Sequence, residues 1–264
     1  MQFIFCTVAV APMRKEPSHR SEMVSQLLFG EYGAVLEQSE DFVRIKCLYD
    51  GYEGWCALNQ VVFVKPEEVV ETTQYLYEEV SEVKVKNAGA MQIPFSTPVY
   101  AAEADSDVFT LGEQEFVYVT AKNKVWNAQT AVFSADNIRK VCSHFVNSPY
   151  LWGGRSVYGL DCSGFAQQVY KMFDIRLLRD AHLQADQGKS IESLKEARIG
   201  DAAFFHNDAG RIIHVGILLG NNEIIHASGK VRIDTIDEEG IINRETGKRT
   251  HYLTCIRRMK ELVD

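Results

Sequence analysis

The sequence predicts a chain of several domains, two small all-β modules followed by an α+β domain. Three observations predict it. At 264 residues the chain is about 1.8 times a typical domain length. Its first half consists of short β-rich runs divided by turn signals. From about residue 134 the hydrophobic period becomes helical, and helices come before strands, which is the α+β order. The expected boundaries are 1–65, an acidic linker at 66–76, then 77–133 and 134–264.

The opening run from Phe3 to Met13 is mostly apolar, with β-branched and aromatic residues, and reads as a buried first strand. No Lys or Arg precedes Phe3, so the basic leader of a secretory signal is missing, and the expected location is the cytoplasm. Leu27–Gly33 ends in turn chemistry and Ala34–Glu37 resumes a strand. Phe42–Cys47 alternates apolar and polar residues, the pattern of a half-buried strand. Asp50-Gly51 is a hairpin turn signal, and Gly54–Leu58 continues as strand. Five or six short strands in about 60 residues predict a small barrel. In the second module the β-rich runs are Pro98–Ala101, Phe116–Thr120 and Val125-Trp126.

In the third region Ile138, Val141, Cys142 and Phe145 fall at i, i+3, i+4 and i+7. A helix therefore starts near Ser134 or Asp136, both good caps, and Asn147-Ser148-Pro149 stops it. The stretch from Ile233 to Thr250, rich in charge and Gly, reads as a surface excursion.

Lys plus Arg number 28 and Asp plus Glu 36, a net charge of −8, so no global charge draws the chain to nucleic acid or an anionic membrane surface. No stretch reaches the roughly 18 apolar residues of a spanning helix. None of the six cysteines has C-x-x-C spacing, which excludes a zinc ribbon or thioredoxin-like motif. Five of them sit among apolar residues as small buried hydrophobes, and Cys162 is the exception.

Cys162 follows Gly159-Leu160-Asp161 and precedes a helical face made by Phe165, Ala166, Val169, Met172 and Phe173. It lies at a loop-to-helix junction, where unpaired backbone N–H groups and the helix dipole lower a thiol's pKa and favour a nucleophilic thiolate. A buried cysteine behind an Asp161 cap fits the same position. A nucleophile needs a base, and His214 and His226 sit in consecutive strands separated by Gly220-Asn221-Asn222. Their parity decides the outcome. A two-residue loop places the two rings on opposite faces of the sheet. A three-residue loop sets His226 opposite Gly216 and brings both rings to one face, so the catalytic reading demands an odd loop or a bulge. Cys162, His214 and His226 then act as nucleophile, base and orienting group. The Cys162 N–H and a donor such as Tyr150 stabilise the oxyanion.

Here the sequence becomes recognisable. Pro149–Gly154, Asp161–Phe165, Gly200-Asp201 with Phe204-Phe205, His214–Ile217 and Ile225–Gly229 occur in the order and spacing of the NlpC-type cysteine peptidases of bacterial cell walls. The region that resembles them covers nearly half the chain, and Gly51–Trp55 resembles the ending of a bacterial SH3-like domain. The resemblance implies two SH3-like barrels ahead of a papain-like catalytic domain, and Cys162, His214 and His226 as its catalytic residues. It further implies hydrolysis of γ-D-glutamyl–diamino-acid bonds in murein tripeptides or tetrapeptides with a free N-terminal L-Ala, in cell-wall recycling. By the same resemblance the ammonium is met by residues matching Asp161, Ser163 and Asp180. The SH3-like domain contributes a Tyr matching Tyr52 and a carboxylate, for which Glu22 is the first match and Glu16 the second. Tyr150 and Trp152 complete the substrate-binding set. Relatives often have Ser where this chain has Ala181, which removes one hydrogen bond.

The alternatives differ in class. One is an envelope hydrolase of intact murein, and another is a non-catalytic binder of cell-wall peptides, against which the intact Cys162, His214 and His226 argue. A metal site on Cys162, His206, His214 and His226 would require tetrahedral convergence. The expectation is that no metal or cofactor takes part, because a thiol at a helix N-terminus needs none. Nucleic acid and membrane are not expected partners.

Overall fold

The computed structural model describes every residue except 79, 87, 101–106, 112–113, 120–123, 221 and 264. The chain divides into two compact units, residues 1–129 with 152–157 and residues 130–151 with 158–264.

The first unit opens with β1 (Phe3–Cys6), β2 (Val10–Arg14), β3 (Met23–Leu28), β4 (Tyr32–Gln38), β5 (Phe42–Cys47), β6 (Glu53–Ala57) and β7 (Val61–Val64). These make one sheet in the order β3-β2-β6-β5-β4-β1-β7. The apolar N-terminal run is thus two strands, both contributing buried residues. In β5 the alternation works as read: Val43, Ile45 and Cys47 are buried while Lys46 is exposed. The Asp50-Gly51 turn holds because Gly51 takes a φ of +73° and the Tyr52 N–H donates to Asp50 Oδ1 at 3.0 Å.

Next come β8 (Gln74–Leu76), β9 (Val80–Val85), β10 (Gly89–Pro94), β11 (Val108–Leu111), β12 (Gln114–Tyr118) and β13 (Val125–Asn127). Four of them form a sheet in the order β10-β9-β12-β11, and β8 pairs with β13. The expected linker therefore ends in a strand, and Leu76 is fully buried. Pro98 makes only an isolated bridge to Tyr75, since it has no N–H for a ladder. Ala101 and Thr120 lie outside the described residues. One aromatic core joins both β segments: Phe5 packs edge-on to Phe29 at 5.6 Å and stacks with Phe109 at 5.7 Å. Each such ring, fully buried, contributes about 1.5–3 kcal/mol.

The segment 152–157 carries β14 (Arg155–Ser156). The Arg155 guanidinium is fully buried, donating to the Gln26 carbonyl at 2.6 Å and to both oxygens of Glu31 at 3.0 and 3.2 Å. Gly153 has a φ of +75°, and a Cβ there would overlap the Met23 carbonyl oxygen. The glycine is therefore required in this motif.

The second unit holds α1 (Ala135–Ser143), β15 (Gly159–Leu160), α2 (Cys162–Lys171) and α3 (Ala181–Gln184). Ser134 caps α1, accepting from the Asn137 N–H at 3.4 Å. The sheet strands are β16 (Lys189–Ile191), β17 (Ala202–His206), β18 (Ile212–Gly220), β19 (Glu223–Ser228), β20 (Lys230–Asp237), β21 (Gly240–Ile242) and β22 (Arg249–Arg258). They run in the order β16-β22-β17-β18-β19-β20-β21, and β21 also pairs with β22, so six strands close on themselves. Helix α2 packs on β18 and β19.

Two expectations need correction. The stretch 233–250 is no surface excursion, because it contains most of β20 and all of β21. Its strand pattern was concealed because Asp234, a carboxylate, occupies a buried position beside Val231 and Ile236. Of the five cysteines expected to be buried, Cys6, Cys47, Cys56 and Cys142 are, but Cys255 is half-buried, and all six are free thiols. Among the described residues no helix is long and apolar enough to cross a membrane.

Candidate active site

Cys162 is the first residue of α2, and Asp161 is its cap, accepting from the Gly164 N–H at 2.7 Å. The helix is pinned by Phe165, Ala166, Val169, Met172 and Phe173, all at most 1% exposed. Cys162 is itself 7% exposed, and its Sγ points at the Ile213 carbonyl of β18, 3.9 Å away.

The parity of the two histidines is settled by a bulge. Gly220 pairs with Glu223, as in a two-residue loop, but the register shifts between Leu218 and Gly220. The extra residue, Leu219, restores the alternation, so Leu218 faces Ile224 and Gly216 faces His226. Of the turn, Asn221 lies outside the described residues. Both rings now share one face, with His214 Nε2 2.8 Å from His226 Nδ1. Gly216 makes room for this arrangement, since a Cβ there would sit 2.7 Å from Ile224 Cδ1 and 3.0 Å from His226 Cβ.

The relay extends beyond the expected three residues. His226 Nε2 lies 3.0 Å from Asp234 Oδ2. Arg232 Nε meets the same oxygen at 2.9 Å, and the Arg244 N–H donates to Oδ1 at 3.0 Å. Burial favours protonation of Asp234, but the His226 ring, the Arg244 N–H and the Arg232 guanidinium together hold it well below the usual carboxylate range. An ionised carboxylate only accepts, so His226 donates to it through Nε2–H. His226 Nδ1 then accepts, His214 donates through Nε2–H, and the lone pair is left on His214 Nδ1. This is the tautomer a general base requires.

The expected low thiol pKa is not found. Burial, then the Asp161 carboxylate, push the Cys162 thiol up to about 12, against the lowering effects of the Val215 N–H, Arg179 and the Ser163 N–H. Burial, then His251 and His226, push His214 well below the ordinary imidazole value. At Cys162 desolvation outweighs the helix terminus, and at His214 burial disfavours the imidazolium.

The other predicted site residues fall into groups. Tyr150 is anchored by its N–H to the Gly229 carbonyl at 3.0 Å. Burial, Cys162 and Asp161 raise its phenol to about 12, so the hydroxyl stays a proton donor. Asp161 and Ser163 are brought together, but around Arg179, whose guanidinium reaches Asp161 at 3.0 and 2.6 Å and Ser163 Oγ at 2.9 Å. Asp180 precedes α3 without capping it through its side chain. In the first unit Glu22 accepts from Trp152 Nε1 at 2.9 Å, which brings two predicted residues together. Tyr52 follows the Asp50-Gly51 turn and is half-buried. Glu16, the second match for the carboxylate, is fixed through its backbone N–H to Ser21 Oγ.

Three site residues escaped the sequence reading: Asp234, Arg179 and His251. His251 on β22 stacks on His214 with ring centroids 4.1 Å apart. Asp234 shares the β20 face of Ile236, but a charged residue in a strand reads as solvent-facing, so residue type hides it. Arg179 precedes Asp180, and only its burial reveals its role.

A cysteine thiol at a helix terminus and a His–His–Asp relay in the same unit are the kinds of group a cysteine peptidase uses. Residues 147–250 match the NlpC/P60 family, and residues 13–61 match the bacterial dipeptidyl-peptidase Sh3 domain. The chain thus carries an NlpC/P60 cysteine-peptidase domain with an SH3-like domain ahead of it in sequence. It is 29% identical over 232 residues to the gamma-D-glutamyl-L-lysine dipeptidyl-peptidase of Bacillus subtilis, covering 81% of this chain and 76% of that one. It is 24% identical over 261 residues to dipeptidyl-peptidase 6 of Lysinibacillus sphaericus, covering 89% and 92%. The crystal structure of an NlpC/P60 family protein from Bacillus cereus shares the fold, with a TM-score of 0.81 over 97% of this chain and 99% of that one at 19% identity.

Proposed function

We propose that the protein hydrolyses the amide between the γ-carboxyl of D-Glu and an L-diamino acid, diaminopimelate or lysine, in murein peptides with a free N-terminal L-Ala. The observation that carries this is the His214–His226–Asp234 relay in the same unit as Cys162. The relatives' names support the cleavage position. A dipeptidyl-peptidase cuts after the second residue, so it must recognise a free N-terminus.

Cys162 Sγ attacks the γ-carbonyl while His214 Nδ1 takes the thiol proton. The Cys162 N–H and the Tyr150 hydroxyl receive the oxyanion. The C–N bond breaks as His214 protonates the departing amine, leaving an L-Ala-γ-D-Glu thioester on Cys162. Water then attacks, giving its proton to His214, and the thiol is restored as the C–S bond breaks. Asp180, Tyr52, Glu22 and Trp152 are our candidates for the substrate's ammonium end, because carboxylates and aromatic faces attract a cation. Asp161 and Ser163 contribute there through Arg179, whose charge balances the Asp161 carboxylate.

Residues 77–133 fit a second SH3-like module, and the catalytic region 134–264 fits a papain-like layout. A recycling role in the cytoplasm is supported by six free thiols, which suit a reducing compartment; fractionating cells that express the tagged chain tests it.

Mass spectrometry of L-Ala-γ-D-Glu-diaminopimelate, its N-acetylated form and a Cys162→Ala control tests the proposal. Release of diaminopimelate from the free-amine peptide alone, and only with Cys162 present, is expected. Cleavage of both peptides would replace it with hydrolysis of intact murein, and cleavage of neither would leave the binding module as the better reading.

A further inference from the structure

We propose that His251 is a positioning residue: its ring is a flat wall that sets the plane of the His214 imidazole, and with it the proton order that leaves His214 Nδ1 as the acceptor. The proposal rests on the reading of His214 as the base.

The strand order explains how the two rings meet. β17 lies between β18 and β22, so His214 and His251 stand two strands apart. In a flat sheet that separation is roughly 9–10 Å. His214 pairs with Phe205, Phe205 pairs with Leu253, and His251 precedes Leu253 by two positions, so all four share one face. That face is the inner one, since Phe205 and Ile241, the partner of His251 on β21, are fully buried. The β21–β22 pairing closes the sheet and curls this face inward. The His214 and His251 centroids end 4.1 Å apart, with the ring planes 23° apart. Phe205 lies near both, 5.9 Å from His214 and 6.0 Å from His251.

The hydrogen bond to His226 does not fix the His214 ring by itself. The outer torsion of a histidine is a broad, two-fold well. Turning about Cβ–Cγ swings Nε2 out of its 2.8 Å contact with His226 Nδ1, and half a turn puts a carbon in its place. His226 meets both other rings edge-on, at 85°. The hydrogen bond therefore selects which edge of His214 faces His226, and the stack on His251 resists tilting of the plane. His251 is held in turn from its own strand, with Nδ1 2.9 Å from Thr250 Oγ1. Burial, then His226, lower the His251 pKa to about 4 against the raising effect of Asp234. The wall is thus uncharged at neutral pH, and an imidazolium formed at His214 during turnover meets no second cation there.

The test compares His251→Phe, which keeps a flat ring without nitrogens, with His251→Leu and His251→Ala, which offer no flat face. Urea unfolding confirms that each variant is folded under assay conditions. kcat and KM are measured on the free-amine tripeptide, and long-range ¹H–¹⁵N spectra of the substrate-free proteins read the His214 tautomer and ring-proton shifts. A stacked pair biases a ring by roughly 2- to 12-fold, and misplacing a reacting group costs more. We expect kcat at least about fivefold lower in His251→Leu and His251→Ala with KM within about twofold. His251→Phe should lie closer to the parent than to either of them on a logarithmic scale. A single Nε2–H tautomer of His214 is expected in the parent and His251→Phe, and altered His214 signals in the other two. The proposal is overturned if His251→Leu and His251→Ala keep kcat within that fivefold limit, if the loss lies in KM, or if their His214 signals match the parent's. It is also overturned if His251→Phe falls as far as His251→Leu, which would assign the effect to the His251 nitrogens and proton transfer. If the parent cleaves no peptide, the proposed substrate fails, while the spectra still decide whether His251 sets the His214 ring.

Discussion

His214 Nε2 and His226 Nδ1 lie 2.8 Å apart because one extra residue, Leu219, bulges out of β18 before the turn. The bulge, rather than the turn, puts both rings on the face that carries the relay.

Asp234→Asn removes the charge that fixes the His226 tautomer. An amide can donate toward His226, which undoes the proton order up to His214 Nδ1. We expect kcat to fall about 10- to 100-fold with KM little changed, a smaller loss than for an aspartate bonded directly to the base. Steady-state kinetics on the free-amine tripeptide checks this, and an unchanged kcat would remove Asp234 from the relay.

Gly216→Ala places a methyl group against Ile224 and His226. The backbone at 216 is ordinary strand, so the effect is crowding rather than strain. A loss of about 1–3 kcal/mol is expected from overpacking, with kcat falling further than stability alone explains. Urea unfolding read beside kinetics separates the two.

Arg179→Met leaves the Asp161 carboxylate buried without its partner. Breaking such a pair costs about 3–5 kcal/mol, and the double variant Asp161→Asn, Arg179→Met should recover part of it. Arg179→Lys should rescue only partly, because a single ammonium does not reproduce the two-pronged contact with Asp161. Denaturation midpoints of the parent, Asp161→Asn, Arg179→Met and the double variant form the cycle, with Arg179→Lys measured beside them.

Acidity acts through His214 and Cys162 in opposite directions from an ion pair. His214 is depressed in the folded state, so below about pH 6.5 the unfolded chain binds the extra proton and folding loses stability as pH falls. The urea midpoint should therefore be lower at pH 5 than at pH 7.5, and this drop should shrink in His214→Phe. The thiol raised to about 12 makes thiolate scarce, so iodoacetamide should alkylate Cys162 slowly at neutral pH and faster only in strong alkali. Rapid alkylation below pH 7 would show a resting thiolate–imidazolium pair instead.

The placement of Cys162 was legible because it borders a strongly apolar helix whose five core positions are all buried. The two histidines were legible as residues, while their shared face was not, since a bulge is a backbone irregularity that leaves no mark in residue types. Asp234 and Arg179 were invisible for a common reason. Charged residues normally face solvent, and only pairing makes their burial tolerable. A helix terminus alone favours a lowered thiol pKa, and the desolvation of a thiol 7% exposed, which residue types do not reveal, reverses it. In the first half, β5 and the Asp50-Gly51 turn followed from local chemistry. The aromatic core linking Phe5 to Phe109 depends on pairings across a hundred residues that no local pattern encodes.

The central claim is covalent catalysis at Cys162 on a γ-D-glutamyl peptide with a free amine. Acid-quenched turnover followed by peptide mapping tests it most directly. An L-Ala-γ-D-Glu acyl group on the peptide that contains Cys162, absent when the substrate is N-acetylated, is the predicted result. Release of the diamino acid by Cys162→Ala protein, with no adduct on the parent chain, would contradict it.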